Sequence, residues 1–150
     1  MSRVLVIGVG NALRGDDAAG LHVARRLRGR GMENVHESGG ETASLMERWR
    51  DANVVLLADA AQSGAPAGTV TRLDASTRPL PAAFLHCSTH AFGVAEAVEL
   101  SRSLGTLPPK VIVFGIEGTN FEHGATLSPE VESGVADAVR QIETEVKSHA

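Results

Sequence analysis

The chain has 150 residues, 43% of them apolar, with 14 Lys and Arg against 18 Asp and Glu, one cysteine and a formal net charge of −4. That is enough for one ordinary domain, 1–150, with a substantial core, and too little for two. The acidic balance argues against nucleic acid as a partner, because no basic face offsets phosphate repulsion, and a lone cysteine excludes an internal disulfide and fits a reducing, cytoplasmic setting.

The first predicted element is a strand over 3–9, RVLVIGV, whose apolar residues are continuous, as expected when both faces of a strand are covered. It leads into GVGNALRGDD (8–17), a glycine-rich turn that ends in Asp16 and Asp17. The apolar run is too short, and too soon followed by acids, to be a secretion signal or a membrane span, so no membrane partner is expected. A helix follows over 17–30, where Ala19, Val23 and Leu27 recur at fourfold spacing. The piece 34–38 is a weak, edge-like strand, and 42–50 is a short helix closing on Arg48 and Arg50.

A second buried strand is predicted over 53–59, NVVLLAD, closing on Asp59. The stretch AAQSGAPAG that follows is too short and glycine-rich for a helical crossover, so the alternating strand over 69–75 should run antiparallel at an edge. The segment 75–87 holds Pro79 and Pro81, has no period and reads as a surface loop. A helix over 88–104 opens on Ser88 and carries a stripe of His90, Gly93, Ala97, Leu100 and Leu104, predicted to face the sheet. The third buried strand spans 110–117, KVIVFGIE. The last helix, 128–147, opens SPE, with Ser128 as N-cap and Pro at the first helical position. Alternating strands and helices predict an α/β fold. It is a three-layer, mostly parallel twisted sheet of about five strands with helices on both faces and one antiparallel edge strand.

In such a sheet the loops at the carboxyl ends of the strands share one edge and form the ligand crevice. Asp17, Asp59 and His90 come from three distant segments that can converge there. Asp16 and Asp17 can also serve as helix caps, Asp59 as a turn residue and His90 as a core histidine. The joint occurrence favours a cation, because two carboxylates about 4 Å apart repel by roughly 4 kcal/mol at an effective dielectric of 20. An Asp, Asp, His set suits a borderline divalent ion such as Ni²⁺ or Zn²⁺. HCSTH (86–90) has zincin spacing but Cys87 where the general base belongs, and Cys87 beside His86 is the weaker nucleophile alternative. No G-x-S-x-G elbow is present. As a dinucleotide fingerprint GVGN lacks its third glycine, with Leu13 in that place, and the two acids would repel an anion.

At these residues the sequence resembles the hydrogenase maturation proteases. The resemblance is carried by VLVIGVGNALRGDDAAG (4–20), VVLLADA (54–60), STHAFGVAEAVEL (88–100), and KVIVFGIE followed by LSPEV (127–131), in the family's order through nearly the whole chain. It implies an endopeptidase that removes the C-terminal extension of a nickel-loaded hydrogenase large-subunit precursor. By position it gives the metal-ligand roles to Asp17, Asp59 and His90. The nickel is then the substrate's own ion, with Zn or Cd able to substitute in vitro. The family commonly has Asp-Gly-Gly-Thr after the second strand, where this chain has Ser38-Gly39-Gly40-Glu41, and its first metal acid is often Glu where this chain has Asp17. In this reading Asp17 or Asp16 is the base, and Asn11 donates to the developing oxyanion. A non-catalytic nickel-sensing maturation chaperone on the same scaffold is the alternative. The loops 75–87 and 118–127 are candidate client contacts, and His123 is a solvated loop residue.

Overall fold

The computed structural model of the chain describes residues 3–81, 84–85 and 93–149. Among these, β1 (Val4–Val9), β2 (Val35–Ser38), β3 (Val54–Ala61), β4 (Val70–Asp74) and β5 (Lys110–Glu117) form one sheet in the order β2-β1-β3-β5-β4. The strands β2, β1, β3 and β5 are parallel, and β4 pairs antiparallel with β5 at the edge, as the short connection after β3 requires. The strand β3 does not stop at Asp59 but keeps register with β5 as far as Ala61 opposite Glu117. Asp59 therefore sits inside a strand and is not a turn residue.

The helices are α1 (Ala19–Gly29), α2 (Thr42–Trp49), α3 (Val94–Leu104) and α4 (Pro129–Ser148). On one face of the sheet, Val6, Leu56, Ile112 and Phe114 pack against Val23 and Leu27 of α1 and Val131, Val135 and Ile142 of α4. On the other, Leu5, Ile7, Val55, Leu57 and Val113 pack against Leu45 and Trp49 of α2 and Val94, Ala97 and Val98 of α3. This is the three-layer arrangement, and it explains why β3 is buried at every position.

Two helical expectations change. The buried residues of α3 are Val94, Ala97, Val98 and Ser101, whereas Leu100 and Leu104 are exposed and flank a trough against Met46 of α2 and Arg50 just after it. The stripe through Leu100 and Leu104 is thus rotated off the sheet: Val94, Ala97 and Val98 face it, and Ser101 completes that face with its Oγ accepting Trp49 Nε1–H at 3.1 Å. The predicted start of this helix at Ser88, together with His86, Cys87 and His90, lies outside the described residues. In α4, Ser128 holds the N-cap position but makes no side-chain cap, because its hydroxyl is committed elsewhere.

The buried Trp49–Ser101 bond gives a stability prediction. Ser101→Ala leaves the indole N–H without its acceptor and should cost about 1–2 kcal/mol. In a melting experiment that is a fall of roughly 2–8 °C.

Candidate active site at the carboxyl edge of the sheet

The chain runs from β1 to β2 on one side and from β3 to β4 and β5 on the other, so the strand order reverses and a crevice opens between the carboxyl ends of β1 and β3. The turn GVGNALRGDD occupies it. Gly10 N–H donates to the Ser38 carbonyl at the end of β2, and Asn11 N–H donates to the Asp17 carbonyl. A Cβ on Gly8 would run into the Gly20 carbonyl oxygen, and one on Gly20 would run into the carbonyl oxygens of Ala58 and Val9. These absent side chains let α1 lie directly on β1 and β3, which brings the 3-10 turn Gly15–Ala18 against the end of β3.

Every buried carboxylate among the described residues lies at this edge: Asp16, Asp17, Asp59 and Glu117. Their surroundings assign them different work. Asp59 is enclosed, and its Oδ1 accepts the Ala60 N–H at 2.8 Å. Burial pushes its carboxyl well above the ordinary value of 3.8, the Asp17 charge pushes it further, and the Ala60 N–H opposes them only in part. Asp17 and Asp59 are therefore close enough for their charges to oppose each other.

Asp16 is the reverse case. Its Oδ2 accepts Thr119 N–H, Asn120 N–H and the Ser128 hydroxyl, each at 2.9 Å, and its Oδ1 accepts Ser128 N–H at 2.8 Å. Burial alone would raise this carboxyl, but the backbone donors of Ser128, Asn120 and Thr119 and the Ser128 hydroxyl outweigh it and hold it below the usual range. A carboxylate so engaged is a poor proton acceptor.

Asn11 accepts Leu13 N–H on Oδ1 at 2.9 Å, which leaves its amide nitrogen as the donor end. Ser38 accepts Gly40 N–H on its hydroxyl at 3.0 Å, the local turn that an Asp carboxylate can also make. Glu41 is exposed at the start of α2. His123 is exposed, as expected of a solvated loop residue. Of the expected metal set, Asp17 and Asp59 share the edge and His90 lies outside the described residues. Among the described residues alone no cluster of three or more potential ligands occurs.

Glu117 is the rim residue that the sequence reading passes over. It closes β5 and accepts Ser63 N–H at 2.9 Å, Ser63 Oγ–H at 2.7 Å and Gly64 N–H at 3.1 Å, pinning the loop after β3. The signal was present: NVVLLAD and KVIVFGIE both end a long apolar run on an acid. The 75–87 segment is also more than a surface loop. Ala75 and Phe84 are buried, Leu80 packs on the core, and Leu85 bridges to Ala61.

A sequence model of the hydrogenase maturation protease family matches residues 21–145. The hydrogenase 2 maturation protease of Escherichia coli K12 is 31% identical over 147 residues, covering 93% of this chain and 88% of that protein. The hydrogenase expression/formation protein HupD of Thiocapsa roseopersicina is 27% identical over 141 residues, 91% of this chain but only 64% of the length of HupD. Among solved structures, the hydrogenase maturating endopeptidase HybD from E. coli superposes with a TM-score of 0.78 at 23% identity, covering 99% of this chain and 94% of HybD. The [NiFe] hydrogenase maturation protease HybD from Thermococcus kodakarensis gives 0.71 at 24% identity over 95% of this chain and 97% of its own. With the family match running from α1 into α4 and one relative above 30% identity along nearly the whole length, the chain belongs to the hydrogenase maturation protease family, a family of endopeptidases.

Proposed function

We propose that the chain is an endopeptidase that removes the C-terminal extension of a nickel-loaded hydrogenase large-subunit precursor, with Asp17, Asp59 and His90 sensing the precursor's nickel. The observation that carries this reading is the buried, mutually repelling Asp17–Asp59 pair at the β1/β3 crevice, a donor set that fits a borderline cation. The nickel belongs to the substrate, and Zn²⁺ or Cd²⁺ are the expected stand-ins in vitro. Asp17 accepts the proton of the water that attacks the scissile carbonyl, and the Asn11 amide donates to the oxyanion that forms. Asp16 was the other candidate base, and its four donors favour a role in the scaffold. No helix among the described residues is long and apolar enough to cross a membrane. We place the reaction in the cytoplasm, in keeping with the lone cysteine.

The test is incubation with nickel-loaded and nickel-free precursor, followed by mass spectrometry. Loss of the C-terminal peptide is expected only from the loaded form, and only with Asp17 and His90 in place. Undiminished cleavage by Asp17→Ala and His90→Ala would remove the site assignment. The uncharged Ser38 keeps the chaperone reading in view, and tight binding to loaded precursor without any mass change would favour it.

A further inference from the structure

The segment between β5 and α4, residues 118–128, is fastened to the turn that carries Asp17, and nearly all of the fastening runs through one side chain. The Asp16 carboxylate, fully buried, collects the four donors already described from Thr119, Asn120 and Ser128. The attachment is reciprocated: Asp16 N–H donates to the Asn120 carbonyl at 2.8 Å, and Gly124 N–H donates to the Leu13 carbonyl at 2.7 Å. Steric fit matches the bonding. Gly15 has φ of +54°, and a Cβ there would strike the Asn120 carbonyl oxygen, while one on Gly118 would meet Asp16 Cβ at 2.9 Å. The outer side of the segment carries the exposed polar residues Thr119, Glu122, His123 and Thr126.

We propose that Asp16 is a positioning residue, whose carboxylate fixes the 118–128 segment as a polar wall beside Asp17 against which the extended tail of the precursor is laid. This rests on the proteolytic reading above. An extended peptide is held mainly along its length, so a wall that moves weakens tail binding before it disturbs chemistry at Asp17. The geometry also explains why Asp stands at this position. One oxygen serves three donors, and neither orientation of an amide can satisfy all four without turning an –NH₂ group toward an N–H.

The test is Asp16→Asn, with cleavage kinetics on loaded precursor and hydrogen exchange on the free protein. The expected result is a KM raised by about tenfold or more with kcat within about threefold, and Ni²⁺ affinity of the free protein within about twofold of wild type. Amides of Thr119, Asn120 and Ser128, protected in wild type, should exchange faster in the variant. Ser128→Ala, which removes only the hydroxyl donor, should raise KM about two- to threefold and covers the case in which Asp16→Asn fails to fold. A fall in kcat at unchanged KM would overturn the proposal by placing Asp16 in the chemistry. Unchanged kinetics in both variants would overturn it as well, as would unprotected amides at 119, 120 and 128 in wild type. If wild type does not cleave loaded precursor, the proteolytic reading itself falls and takes the wall's role with it, while the exchange data still report on the fastening.

Discussion

Asp59→Asn should abolish precursor processing and at the same time make the isolated protein more stable. The asparagine keeps the shape of the side chain and an oxygen for the Ala60 N–H, so packing within β3 is preserved. What disappears is an ionisable group whose charged form burial and Asp17 both oppose. Because the folded carboxyl titrates above its unfolded value, its contribution to stability is most favourable below about pH 3.8 and declines as pH rises through the folded value. Above about pH 3.8 the wild type carries this cost, and the variant, which never ionises, carries none of it. Relief of about 1–2 kcal/mol is the order expected for such a group, or roughly 2–8 °C in melting temperature. Processing should fall by at least about 100-fold, since a neutral amide is a far weaker partner for a divalent ion. A calorimetric melt and a mass-spectrometric cleavage assay on the same preparation check both halves. A variant that loses stability in step with activity would show that Asp59 is merely structural.

Gly20→Ala should be a strongly damaging single-methyl change near the site. Its Cβ would meet the carbonyl oxygens of Ala58 and Val9, which are backbone atoms of two adjacent strands and cannot swing aside as a side chain could. Overpacking of this kind costs about 1–3 kcal/mol and more where backbone must shift. Relaxation would require α1 to lift from the sheet. That would carry Asp17 away from Asp59, so melting temperature should fall by roughly 5 °C or more and Ni²⁺ affinity should fall with it. Gly29→Ala is the matched control. Nothing lies within 4 Å of a Cβ there, and it should cost little. Equal melting temperatures for Gly20→Ala and Gly29→Ala would refute the close approach as the reason for the glycine.

The sheet was legible because its strands announce themselves. Covered on both faces, β1, β3 and β5 are unbroken apolar runs, and the short AAQSGAPAG connection forced β4 to reverse. The edge position of Asp59 was legible for a related reason, since an acid that ends such a run falls at the carboxyl edge, and that of Asp17 because only a turn separates it from β1. The separate jobs of Asp16 and Asp17 could not be read from their adjacency. They depend on four donors from residues 119–128, more than a hundred positions away, which have no pattern of their own. The face of α3 was misread because Leu100 and Leu104 looked like core. The competing stripe of Val94, Ala97 and Val98 took the inward place, and it ends on a serine that is buried with a hydrogen bond from Trp49.

The reversal of β4 has one more effect. It leaves the chain at Asp74, opposite Ile112, on the amino side of the sheet, yet Leu85 must meet Ala61 on the far side. The two ends of this connection thus lie the full height of the strands apart, and its start is anchored by Arg102, whose guanidinium donates to the carbonyls of Ala75, Ser76 and Arg78. Near the top, Phe84 lies over Gly115. Pro79 and Pro81 suit such a drawn-out path. Most connecting segments have slack that evolution can trim or lengthen, whereas this one behaves as a measured tether whose length is set by the sheet it crosses.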